Sequence, residues 1–134
     1  MPSFVPSALT TGLLIALIDA AALVAPGTLG VDENLVQYVD LIANIALYSY
    51  LGLRIGRATG VVRDAAEAGV LAALVAATIG LAVSFALGVD ADGAALLMAA
   101  VRDYALNVAL GGVLAVVNGW IGTKAHEAGS ARRP

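Results

Sequence analysis

Asp40-Leu41-Ile42-Ala43-Asn44-Ile45-Ala46-Leu47 is met a second time, 63 residues further on, as Asp103-Tyr104-Ala105-Leu106-Asn107-Val108-Ala109-Leu110. Upstream of it, Leu29-Gly30-Val31-Asp32 returns after 58 residues as Leu87-Gly88-Val89-Asp90, so the second copy holds five more residues between its motifs. Each motif lies between long apolar segments. A repeat of this kind defines the structural unit before any fold is argued. The unit expected here is a hairpin of two apolar helices used twice, over about residues 7–60 and 64–124, with a tail at 125–134, all within one domain.

Composition sets the solvent of that domain. Of the 134 residues 60% are hydrophobic and 13% charged, and the mean hydropathy is +0.92. A soluble domain is about half apolar and about a quarter charged. A membrane span takes about 20 mostly apolar residues, and four such segments fit, at Ser7 to Ala25, Leu35 to Leu53, Ala68 to Leu87 and Ala100 to Ile121. The chain thus reads as an all-α membrane protein of four transmembrane helices in two tandem two-helix repeats. The first segment reads as a span and not a signal peptide, because no Lys or Arg precedes it and Asp19 interrupts it.

Charge gives the orientation. Lys and Arg near span ends stay on the cytoplasmic side. Arg54, Arg57, Arg63, Lys124, Arg132 and Arg133 fall on one side of the four spans and Arg102 alone on the other, beside Asp32, Glu33, Asp90 and Asp92. Both termini are therefore expected in the cytoplasm of a cell-membrane protein, with any pseudo-two-fold axis along the membrane normal. Sparse Lys beside abundant Ala, Gly and Val suits a prokaryotic source.

Several chemistries are disfavoured. A net charge of −3 argues against nucleic acid, and without cysteine there is no thiol chemistry or thiolate metal site. The single histidine, His126, supports neither a histidine metal cluster nor a catalytic triad. Gly27-Thr28-Leu29-Gly30 and the stretch from Gly56 to Gly60 lack the context of a phosphate loop and read as turns. No metal, cofactor or enzymatic activity is expected.

Local signals place the helix ends. Pro26-Gly27 is expected to stop the first span, Asp32 to cap the second, and Asp64-Ala65-Ala66-Glu67 to form a capping box before the third. Trp120 and Tyr38 fall near the two expected interfaces, where amphipathic rings anchor.

Small residues at every fourth position let helices approach closely in a bilayer. Span three has Ala68, Ala72, Ala76, Gly80, Ser84 and Gly88; span one Gly12, Ala16 and Ala20; span two Gly52, Gly56 and Gly60; span four Gly111, Ala115 and Gly119. These rows read as packing within one four-helix bundle or as an oligomer surface.

Polar residues inside spans are costly, and an ionisable one there is a functional candidate. Asp19, Asp40, Asn44, Arg102, Asp103 and Asn107 form the candidate ion or proton site. The structural alternative pairs Asp19 or Asp40 with Arg102 and uses Asn44 and Asn107 as hydrogen bonds between helices. Two functions follow: an oligomeric accessory or assembly subunit held in the lipid bilayer within a homo-oligomer or larger membrane complex, or a small transporter or channel for protons, cations or a cationic solute. A transport site is reachable by water, whereas structural polar groups are fully paired and dry. The topology is testable on its own. Reporter fusions at the C-terminus and after Gly30 are expected to report opposite sides of the membrane, and matching signals overturn the span assignment.

Overall fold

The structure, a computed structural model, describes residues 3–87 and 93–131, without the side chains of residues 93–97, 99, 100 and 103. It consists of four α-helices: α1 (Val5–Leu29), α2 (Glu33–Thr59), α3 (Val62–Ala86) and α4 (Gly93–Ser130). Three stretches, Val5–Leu29, Val62–Ala86 and Tyr104–Ser130, are long and apolar enough to cross a membrane. Helix α2 is long enough at 27 residues, but Gln37, Asp40 and Asn44 lower its hydropathy.

The helices overrun the expected segments for identifiable reasons. Pro26 does not end α1: the helix continues to Leu29, and Gly30, at φ 63°, closes it by donating its N–H to the Pro26 carbonyl. Membrane helices tolerate proline because neighbouring groups re-satisfy the freed backbone. Asp32 does cap α2, accepting from the Leu35 amide at 3.0 Å. Asp64 does not cap α3, because the helix already starts at Val62. Instead Thr59 accepts the Val61 amide at 3.1 Å, and Glu67 pairs with Arg63 at 2.7 Å. At 38 residues α4 is about 57 Å long at 1.5 Å per residue. It absorbs much of the expected tail, as His126 donates from Nδ1 to the Arg57 carbonyl at 2.7 Å and Lys124 pairs with Glu127 at 3.0 Å. The second copy of the Leu-Gly-Val-Asp motif, at residues 88–90, and Gly88 of the small row lie outside the described residues.

Neighbours fix the arrangement. Helices α1 and α3 run parallel, with Gly12 against Ala72 and Val75, and α2 and α4 run parallel, with Tyr48 against Gly111, Gly52 against Ala115 and Gly56 against Gly119. The start of α1 and the end of α4 therefore lie at one end of the bundle. Helix α2 also touches α1 and α3, whereas among the described residues α1 and α4 do not touch. A two-fold axis exchanging the hairpins requires an α1–α4 contact wherever there is an α2–α3 one, so the described helices do not carry the expected symmetry.

The core is made of small side chains. Ala8, Ala16, Ala65, Ala68, Ala72, Ala73, Ala76 and Ala115 are buried, with Ile15, Tyr48 and Leu51 as the largest enclosed groups. Leucine, valine and isoleucine fill the outer surface instead, from Leu13 and Leu17 on α1 to Val113 and Val117 on α4. In water an exterior of this kind aggregates. In lipid it is the required solvent contact, and association then depends on close packing of small residues.

The glycines mark the closest approaches. A Cβ at Gly52 meets the Ala115 carbonyl oxygen at 2.5 Å, one at Gly56 collides with the Gly119 carbonyl, and one at Gly69 collides with Ala115 and Gly111. Gly80 departs from the row that contains it. A Cβ there meets nothing within 4 Å, so the tight packing of α3 ends near Ala77. Gly56→Ala is accordingly expected to cost about 1–3 kcal/mol through overpacking, while Gly80→Leu leaves the monomer's thermostability in detergent unchanged. Equal effects at the two positions contradict this packing.

Candidate functional site

A cleft of about 190 Å³ opens between α1, α2 and α4, lined by Asp19, Asp40, Leu41, Asn44, Leu106, Asn107 and Leu110. Its polar lining consists of four of the six candidate residues. Helix α1 supplies Asp19, ten residues before its end at Leu29, or about 15 Å at 1.5 Å per residue. Helix α2 supplies Asp40 and Asn44, one turn apart on the face that turns inward, and α4 supplies Asn107.

Asn44 ties the cluster together. It is only 7% exposed, and its Nδ2 donates to Asp19 Oδ1 at 3.0 Å and, at the long limit of 3.5 Å, to Asp40 Oδ2. The Asp19 and Asp40 carboxyl groups thus share one amide donor. Two carboxylates held together in this way favour a proton or another cation between them, since like charges repel.

The cluster is not closed. Asp40 Oδ1, Asn44 Oδ1 and Tyr48 Oη are buried and have no hydrogen-bond partner among the described residues. A buried polar group left unpaired costs about 1–3 kcal/mol, so three together on neighbouring turns of one helix call for a guest that hydrogen-bonds or coordinates oxygen. Every available donor atom is a hard oxygen. Such sites suit protons and hard cations rather than soft metals.

Tyr48 is the member that sequence reasoning missed. Its signal was available, because residues 40, 44 and 48 follow the four-residue ridge of a helix. It is fully buried, near enough to Asp19 to feel its charge, and its ring edge occupies the space over Gly111. A second unanticipated contact is the 2.8 Å hydrogen bond between Tyr104 and Thr78, which links α4 to α3. Since Thr78 Oγ1 also donates to the Leu74 carbonyl at 2.7 Å, Tyr104 is the donor.

The remaining candidates lie elsewhere. Arg102 is exposed and is not part of the cleft lining. The side chain of Asp103 lies outside the described residues. Among the described residues Arg63 pairs with Glu67 and Lys124 with Glu127, and neither Asp19 nor Asp40 is paired with a basic side chain. Asn118, another polar residue of the fourth expected span, donates to the Leu114 carbonyl of its own helix at 2.9 Å.

Comparison with family models, curated proteins and solved structures finds no match for the chain. The site therefore has to be read from its own geometry. If Asn44 bridges the carboxyl groups as described, Asn44→Ala and Asp19→Ala are expected to be coupled by about 0.5–1.5 kcal/mol in a double-mutant cycle of detergent unfolding. Strict additivity removes the bridge.

Proposed function

We propose that this chain is a small, non-enzymatic integral membrane protein that takes up protons, small cations or a cationic solute at the cleft between Asp19 and Asp40. In this reading all four helices span the cell membrane as two tandem hairpins, with both termini cytoplasmic and the cleft towards the outer side. The observation behind it is the Asp19–Asn44–Asp40 cluster, which opens to a cleft and leaves buried oxygens without partners. Purely structural polar groups are expected to satisfy one another. The acidic pair attracts positive charge, the asparagine fixes the spacing of the carboxyl groups, and the open cleft admits water and solute to them.

A second reading, an oligomeric accessory or assembly subunit, draws on a different observation. Helix α3 has open space at Gly80, beyond the point where its neighbours pack. Small residues left open on a membrane helix suit contact with a further helix. The two readings are compatible, since an oligomer can contain four-helix units that each hold a site.

Reconstitution into liposomes tests the first reading. Entry of protons, Na⁺, K⁺ or tetramethylammonium is expected to exceed that of protein-free vesicles and to be abolished by Asp19→Asn, which keeps the side-chain shape but cannot ionise. The variant's thermostability and oligomeric state should stay within the range of the parent protein. No entry of any of the four species defeats the transport reading. A stoichiometric partner co-purified from native membranes then moves the assignment to the accessory subunit.

A further inference from the structure

Resting on the cation-site reading, we propose that the species held at the cleft is the proton, and that Asn44 and Tyr48 extend the site inward as the wall of a proton-conducting half-channel that ends at Tyr48. Three observations lead there.

The first is the geometry of the acidic pair. The Asp19 and Asp40 carboxyl groups share a single donor, the Asn44 amide, at 3.0 and 3.5 Å. A proton fits between two oxygens at hydrogen-bonding distance without moving either, whereas a metal ion needs the carboxylates to part and further ligands to close its shell. Among the described residues no group of three or more His, Cys, Asp or Glu side chains stands ready to supply them.

The second is the row of unpartnered oxygens. Asp40 Oδ1, Asn44 Oδ1 and Tyr48 Oη occupy successive turns of α2, all buried. Their backbone positions span about 12 Å along the axis, with about 6 Å between neighbours. A step of that size is bridged by one or two hydrogen-bonded waters, at about 2.8 Å per bond. The asparagine oxygen orients such a water by accepting from it, and the tyrosine hydroxyl both accepts and donates. A proton arriving from the outer side bonds to a carboxylate oxygen of the pair. It leaves when that O–H bond breaks towards a water oxygen in the line, so that the carboxylate regains its charge and the water gains one proton.

The third is where the row stops. One turn beyond Tyr48, Gly52 meets Ala115 backbone to backbone, so the Tyr48 hydroxyl is the last polar side-chain group on this ridge before the helices close up. Above that closure, Gly111 makes room for the phenol, since a Cβ there sits 2.7 Å from Tyr48 Cε1. Among the described residues, the titratable groups of the cleft and the row are Asp19 from α1 and Asp40 and Tyr48 from α2. Helix α4 adds Asn107 to the cleft lining, and α3 adds none of its residues there.

Proton entry into liposomes, followed with an enclosed pH dye, tests the proposal together with infrared spectra of the reconstituted protein. Wild type is expected to admit protons and to show a protonated carboxylic C=O band that is lost in both Asp19→Asn and Asp40→Asn and is insensitive to added Na⁺. Tyr48→Phe is expected to slow entry by about tenfold or more while the band persists. Entry of Na⁺, K⁺ or tetramethylammonium without protons leaves the cation-site reading standing and overturns the proton. No entry of any species defeats the reading itself. A band displaced by Na⁺, or absent, overturns the shared proton even if Tyr48→Phe fails to fold, and unchanged entry in a folded Tyr48→Phe overturns the half-channel.

Discussion

Backbone touches backbone where α2 meets α4, and the rest of the molecule is arranged around that contact. Gly52 and Gly56 lie against Ala115 and Gly119, and Gly122 lies close to the Leu53 carbonyl. Hydrophobic burial cannot hold helices together in lipid, since tails and side chains are equally apolar. What remains is the sum of many small dispersion contacts, which rises steeply as two helices close their last ångström. Glycine and alanine permit that approach. By fixing the spacing of α2 and α4, the contact also sets how far apart the polar residues one or two turns above it can stand.

The seam and the site belong to one ridge. Asp40, Asn44, Tyr48, Gly52, Gly56 and Gly60 succeed one another at intervals of four along α2. Asn107, Gly111, Ala115 and Gly119 form the matching ridge on α4. The same face therefore changes character along its length, from carboxylate and amide through a phenol to bare backbone. This accounts for part of the diluted hydropathy of α2: Asp40, Asn44 and Tyr48 lie on the ridge that meets its neighbours, while its outer side presents Leu35, Val39, Ile42 and Ile45.

Much of this was legible in the sequence, and the exceptions have physical causes. Helicity, the small-residue seams and the cap at Asp32 follow from periodicity and local chemistry, which act within a turn or two. The meeting of Asp19 with Asn44 depends on how α1 is rotated against α2, and no local pattern encodes that angle. Gly80 continues its row in sequence but not in space, because Ala76 is near the last point at which α3 has a close neighbour. Tyr48 reads as an ordinary aromatic until its ring is seen over Gly111. The repeat suggested that any pseudo-two-fold axis runs along the membrane normal; among the described residues α2 approaches α3 without a matching α1–α4 approach, so similar hairpins need not have equal surroundings.

A single ridge that holds both chemistry and packing makes α2 sensitive to its length more than to its composition. Inserting or deleting one residue between Asn44 and Gly52 turns everything above it by about 100° relative to the glycines below. The seam and the carboxyl pair then cannot both stay in register. Outward positions such as Ile45 and Tyr50 are free to vary among apolar and aromatic residues, since they answer only to lipid. Change is expected to enter this helix by exchange of side chains, and length variation to be confined to its ends and connections.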